Sequence, residues 1–396
     1  MTIYLTVLLA ILTTFLESCS PSTFNVHNVK PIKTTRSDNL LVFALDSFRT
    51  ENLNWINYKG CSSISALSIN DSAYLVLQNR TNNFLDVYNL ESHSIVYSIE
   101  VPTQYKLCED MSSTFIKDNM VYHLFNNEGA LLTTTVNNKK LVPHTNLNSN
   151  STMLDNKLIS VVRSGHTQLY VDKDSLLFLG VVNPYKGNYY NYPITATLNL
   201  KTGKINTTGI AFPRFLYKND YGLMSPIKQL YTDNHIVYAC DALPEIWRYD
   251  LTTSTLARYI TRSNYQTDSI LPLPFRSSPH NKDQSYNIFM HSARYDKFVY
   301  DPYKNVYYRF FVLEMPQKNE QGLYNTHKDR RLSVMVLDEN FNLLGETLLP
   351  PVCNFIFFAV ASKQGLFINY GVLSKSTEND SNIPNILKIK FSYADK

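Results

Sequence analysis

One phrase recurs along this chain and restricts its fold more than any other feature: a polar turn followed at once by a short strand of β-branched and aromatic residues. It reads NDSAYLVLQ (70–78), KDNMVYHLF (117–125), DKDSLLFLGVV (172–182), TDNHIVYAC (232–240), YKNVYYRFF (303–311) and SKQGLFINY (362–370). A second phrase often follows, made of a strand, a polar turn and a return strand. Examples are LDVYNLESHSIVYSIEV (85–101), TATLNLKTGKINTTGI (195–210), EIWRYDLTTSTLARYI (245–260) and LSVMVLDENFNLLGETLL (332–349). Their turns carry the Asn, Asp, Gly and Ser that hairpins need. No helical period lasts more than a turn or two, and the 28 Tyr and 21 Phe favour strands.

Together the two phrases make a four-stranded unit repeated every ~40–60 residues, the signature of a β-propeller. The units fall at about 64–101, 112–146, 152–210, 228–262, 288–349 and 355–391. The last is one or two strands short, and LLVFALDS (40–47) and LNWINY (53–58) can supply them. The expected fold is therefore all-β, a six-bladed propeller with N-terminal strands closing the last blade, which leaves no open sheet end. A pair of stacked β-sandwiches is the competing arrangement; recurrence of the turn-then-strand phrase favours the ring.

With 44% hydrophobic residues among 396, the chain can bury a core. Its 37 basic and 33 acidic residues leave +4, with no basic stripe, so no nucleic-acid partner is expected. Twelve glycines are few for glycine-rich nucleotide loops.

The first residues, MTIYLTVLLAILTTFLESC, hold an apolar run from Ile3 to Leu16, too short to span a bilayer but suited to a signal peptide. Leu16-Glu17-Ser18-Cys19 has the layout of a lipobox, with Cys19 as the acceptor of a diacylglycerol. Glu17 and the absence of Lys or Arg before the apolar run depart from the usual pattern. An ordinary secretory signal or a packed N-terminal helix are the alternatives. The organisation expected is a signal peptide over 1–18, a lipid-anchored tether over 19–38 and the propeller over 39–396. That makes the membrane a partner through the anchor. Ser20 to Asn25 contains no acidic residue, which points to the outer membrane facing the periplasm. Cys61, Cys108, Cys240 and Cys353 show no metal-like spacing; disulfides and free buried thiols are both open.

Through LESC, YLVLQNRTNNFLDVYNLESHSIVYSIEV and VYACDALPEIWRYDLTTSTLARY, the chain resembles a Bacteroidetes family of six-bladed β-propeller lipoproteins of unknown function. The resemblance covers nearly everything after the tether. It implies architecture and a cell-envelope location, and brings no catalytic residues with it.

No HExxH, GxSxG, EF-hand or P-loop pattern is present, so no catalytic residue, cofactor or metal is expected. His280, Asp283 and His291 have spacings that could converge on a metal only if a long connection folded them together. Asp71, Asp118 and Asp233 precede equivalent strands and read as Asx-turn residues. The long insertions carry more: 183–193, 212–226, 276–287 and 314–331. Tyr185, Tyr189, Tyr190 and Tyr192, with Arg214, are the candidate ligand-binding residues, because Tyr offers a flat apolar face and a hydroxyl at low entropic cost. The function expected is a non-enzymatic binding or scaffold role, recognising a protein, peptide or glycan on one propeller face. A hydrolase or lyase working at the central channel on a small ester or glycan is the alternative; acids and a His converging there would favour it.

Overall fold

The computed structural model describes residues 29–35, 41–49, 64–107, 112–125, 129–147, 153–154, 157–161, 169–182, 193–211, 213, 227–232, 234–268, 270, 288–351, 353, 356, 358–370 and 385–393. The chain begins with β1 (Pro31–Lys33) and β2 (Leu41–Arg49), whose partners lie far along the sequence. Blade 1 is the meander β3 (Ile64–Ile69), β4 (Ser72–Asn79), β5 (Phe84–Asn89) and β6 (Ser94–Glu100). Blade 2 repeats it with β7 (Ser112–Lys117), β8 (Met120–Phe125), β9 (Ala130–Thr135) and β10 (Val142–Asn146). In blade 3 the inner position is split between β12 (Lys157–Val161), which β11 (Met153–Leu154) flanks, and β13 (Tyr170–Asp172). Both pair with β14 (Ser175–Val182), followed by β15 (Pro193–Asn199) and β16 (Ile205–Ala211).

Blade 4 is β17 (Ile227–Thr232), β18 (His235–Cys240), β19 (Glu245–Asp250) and β20 (Leu256–Ile260), with β1 added in parallel outside β20. Blade 5 comprises β21 (Arg294–Asp301), β22 (Val306–Val312), β23 (Leu332–Leu337) and β24 (Leu343–Leu348). Blade 6 has β25 (Ala359–Ser362), β26 (Gly365–Tyr370) and β27 (Asn385–Tyr393), and its outermost strand is β2, antiparallel to β27 from Leu41↔Tyr393 to Arg49↔Asn385. The ring thus closes as the sequence predicts, through residues 41–49; residues 53–58 lie outside the described ones. Residues 31–33 fall inside the segment read as a tether, yet they form a strand on blade 4.

The core is six apolar clusters, one in each seam between neighbouring blades. Leu75, Tyr88, Phe358 and Phe367 fill the seam where blade 6 meets blade 1, so the ring is sealed by the same physics at every joint. Alternation along each strand sends side chains to its two neighbours in turn: Ile227 and Tyr231 pack toward blade 3, Leu230 toward blade 5. Two faces to bury per strand explain the near-continuous apolar runs.

Turn chemistry fixes the meander. Asn70 and Asp71 both have positive φ (47° and 70°), as do Asp118 and Asn119 (49° and 66°), the backbone of a tight hairpin that Asn and Asp tolerate. Asp71 and Asp118 are therefore structural, as expected, through backbone conformation rather than as Asx-turn acceptors; Asp233 lies outside the described residues. Asx-turns sit instead at the end of the third strand in four of the blades, and also at Asn79 and Asp301. Asn89 accepts from the amides of Glu91 and Ser92 (2.8 Å each), and Asp250 from those of Thr252 and Thr253 (2.8 Å each). Asn199 and Asp338 repeat the pattern.

Candidate functional site: the insertion-bearing end

In a meander the connections alternate between the two ends of the sheet. Turns from first to second strand and from third to fourth lie at one end, and none exceeds six residues. Connections from second to third strand and from blade to blade leave from the other end. They include long ones at 50–63, 101–111, 183–192, 212–226, 261–293, 313–331 and 371–384. The topology therefore makes the insertions singled out in the sequence begin and end at one end of the ring. Tyr185, Tyr189, Tyr190, Tyr192 and Arg214 belong to these connections but lie outside the described residues, as does Cys19.

At this end, in the seam between blades 4 and 5, sits a concentration of buried charge. Four of the seven charged side chains buried among the described residues are here: Lys228, Asp241, Arg294 and Arg309. Lys228 is the second residue of β17, and Asp241 directly follows β18. The Lys228 ammonium pairs with the Asp241 carboxylate and lies 3.6 Å from Asp296. Asp296 and Lys297 come from β21 at a register shift: Tyr295 opposes Phe311 and Phe298 opposes Arg309, so two residues span one partner. Such a bulge turns successive side chains away from strict alternation, and both groups bear electrostatically on Lys228 and Asp241.

Two guanidinium groups frame this quartet. Arg309 donates to the carbonyls of Cys240 (3.1 Å), Leu243 (2.7 Å) and Pro244 (3.2 Å), tying blade 5 to the connection that holds Asp241, and stacks over Tyr295 at 3.7 Å. Arg294 donates to Phe289 O (2.6 Å) and covers its ring at 3.8 Å. The Tyr295 amide donates to Asp241 O (2.8 Å), fixing the same joint from the backbone.

Burial decides the titration of Asp241 and Lys297. It pushes the Asp241 carboxyl up to about 6, against the attraction of Lys228 and with help from Asp296. It pulls the Lys297 ammonium down to about 8, although Asp296 favours the charged form. An acid and a base that both titrate near neutrality, in one joint at the mouth of a ring, are a combination found at functional sites.

The arm 313–331 is the insertion at this end that lies wholly within the described residues. Asn319 is its hinge: its side chain accepts from Gln321 N (3.1 Å) and Leu323 N (2.9 Å), while its own amide donates to Leu323 O (2.8 Å). Asn325 donates to Gln317 O and Pro316 O (2.9 and 2.8 Å), and Thr326 with Asp329 closes a capping box. The braced tip holds out Leu323 and Tyr324, 66% and 72% exposed, with the Lys318 ammonium 4.9 Å from the Tyr324 ring centre.

Other candidates do not join this site. Of the possible metal group, His291 is described, and its Nδ1–H donates to Met315 O (3.2 Å); His280 and Asp283 lie outside the described residues. Among the described residues no three His, Cys, Asp or Glu side chains gather as metal ligands. Cys240 and Cys353 are not in disulfides, and burial pushes both thiols up to about 12, so they stay neutral; Cys61 and Cys108 lie outside the described residues.

Solved structures share this architecture. A family member from Bacteroides vulgatus superposes with a TM-score of 0.68 at 18% identity, covering 90% of this chain and 100% of its own. A Bacteroides fragilis protein named as exported by inference gives 0.53 at 10% identity, covering 92% and 100%. No curated protein matches the chain. The model of a family described as a domain of unknown function, DUF4221, matches residues 34–348, and the chain belongs to that family.

Proposed function

We propose that this chain is a cell-envelope lipoprotein, anchored through Cys19, whose propeller binds a protein or peptide at its insertion-bearing end. The arm at 313–331 is the observation that carries the reading. A solvated loop has no physical reason to brace itself with its own network of hydrogen bonds and then expose its apolar tip; a recognition element has one, because the ordering cost is met before the partner arrives. Leu323 and Tyr324 are the kind of side chain that dominates interfaces, and the surrounding Gln317, Lys318, Asn319, Glu320, Gln321 and Asn325 form a polar rim. A glycan would use the same Tyr ring but leave Leu323 without a role.

The test is paired. Leu323→Ser with Tyr324→Ser should leave the melting temperature unchanged, since both side chains are exposed. The same change should cost roughly tenfold or more in affinity for a protein partner taken from solubilised envelopes. Undiminished capture by the double variant would move the site off the arm, and binding on a glycan array alone would move the ligand class. For the anchor, Cys19→Ala should abolish labelling by a palmitate analogue and release the protein from membranes; labelling that persists would remove Cys19 from the role. Among the described residues no helix is long and apolar enough to cross a membrane.

A second reading, catalysis at the channel mouth on a small ester or glycan, has one observation in its favour: Asp241 and Lys297 titrate on either side of neutrality. No His joins them among the described residues, and Lys228 already occupies the Asp241 carboxylate.

A further inference from the structure

Residues 29–35 decide where the folded body begins. Arg258, fixed by two bonds to Glu245 (2.9 and 2.7 Å), donates to Val29 O at 3.4 Å. β1 then pairs in parallel with β20, and the Thr34 hydroxyl donates to Ile260 O (2.7 Å). Thr35 crosses to blade 5, its amide donating to the Asn342 side chain (2.8 Å) and its carbonyl accepting from Leu343 N (3.0 Å). From there the chain continues to β2, outermost in blade 6. It thus forms a belt over the rims of blades 4, 5 and 6. In a ring of six, blade 1 lies opposite blade 4.

Cys19 precedes Val29 by ten residues, which reach at most about 35 Å when fully extended. A bilayer link therefore starts from the rim of blades 4 and 5. That rim has chemistry suited to a lipid surface. Lys30 and Lys33 are exposed, Ile32 between them is 47% exposed, and residues 29–35 contain no acid. Close by, the Arg248 guanidinium donates to the backbone carbonyl of Glu339 (3.1 Å), whose carboxylate accepts from the Asn305 amide (2.7 Å). Each lysine held near an anionic leaflet strengthens surface binding about fivefold.

We propose that the rim of blades 4 and 5 is the surface of the propeller that rests on anionic phospholipid, with the rim of blade 1 turned away from the membrane. The insertion-bearing end then opens along the membrane plane, where a partner can reach the arm without lifting the domain. This rests on the lipid anchor at Cys19 proposed above.

The test places a photo-crosslinker in the full acylated chain: Ile32→p-benzoylphenylalanine on the belt, and the same substitution at Tyr97 and Val142, exposed positions on blades 1 and 2. Vesicles are phosphatidylethanolamine with or without phosphatidylglycerol, and lipid adducts are read by mass. We expect at least about tenfold more phospholipid adduct at position 32 than at 97, falling several-fold without phosphatidylglycerol or with Lys30→Gln and Lys33→Gln. Equal labelling at 32 and 97, or heavier labelling at 97 or 142, overturns the proposal. Since β1 is a short exposed strand, an unchanged melting temperature will show that the belt variant folds, and Lys33→p-benzoylphenylalanine serves as a second reporter. A parallel arm replaces Cys19 by a hexahistidine held on nickel-chelating lipid. Rim labelling there, without acylation of the native chain, sinks the anchor and keeps the rim; even labelling in both arms sinks the rim alone.

Discussion

Asp241 is caught between two demands. The residue is 7% exposed, so its carboxylate has lost most of its water, and Lys228 is the cation that keeps charge tolerable there. Burial wins, and its pKa in the folded protein rises to about 6, against about 3.9 for an unfolded Asp. For an acid with a raised folded pKa, the stability contribution is complete below the unfolded value and disappears as pH climbs through the folded one. Wild type should therefore gain stability relative to Asp241→Asn as pH falls from 7.5 to 4, by about 2–3 kcal/mol at the lower limit. Denaturation curves of both proteins at pH 4, 6 and 7.5 would show it; parallel pH profiles would mean that Asp241 is hydrated after all.

At the scale of elements, the ring was legible because each blade repeats one solution to one problem. Asn89, Asn199, Asp250 and Asp338 mark the same corner four times, and strands buried on both faces read as continuous apolar runs. Where a residue answers to a distant partner, the local pattern goes quiet. Nothing in PIK (31–33) announces a strand, since its edge is supplied by β20, more than 220 residues away. The charged joint was equally hidden. It needs the bulge at Asp296 and Lys297, and it needs Lys228 and Asp241 to meet residues some 60 positions on. One signal was available: charges inside inner-strand phrases, as in IKQLYT and RYDKFVYD, are out of place where both faces of a strand are covered. The arm at 313–331 was visible as an insertion, but its bracing by Asn319 and the exposure of Leu323 and Tyr324 are properties of its folded geometry.

At the scale of the whole molecule, a closed ring differs from a row of stacked sheets in having no terminal member. Every seam cluster here has two blades to bury it, including the one between blades 6 and 1. The nine-residue pairing of β2 with β27 is what completes blade 6. Deleting residues 41–49 should act at two distances. Locally it bares β27, a nine-residue strand whose unpaired N–H and C=O groups become a template for another chain. Farther away it detaches the belt on blades 4 and 5 from its continuation, so the rim loses its clamp as well. The expected result is a melting temperature lower by on the order of 10 °C, together with concentration-dependent association through the bared edge. Calorimetry alongside sedimentation velocity would separate the two effects. An unshifted transition in a monomer would mean that blade 6 holds with three strands and that closure at the seam, rather than within the sheet, is what keeps the ring together.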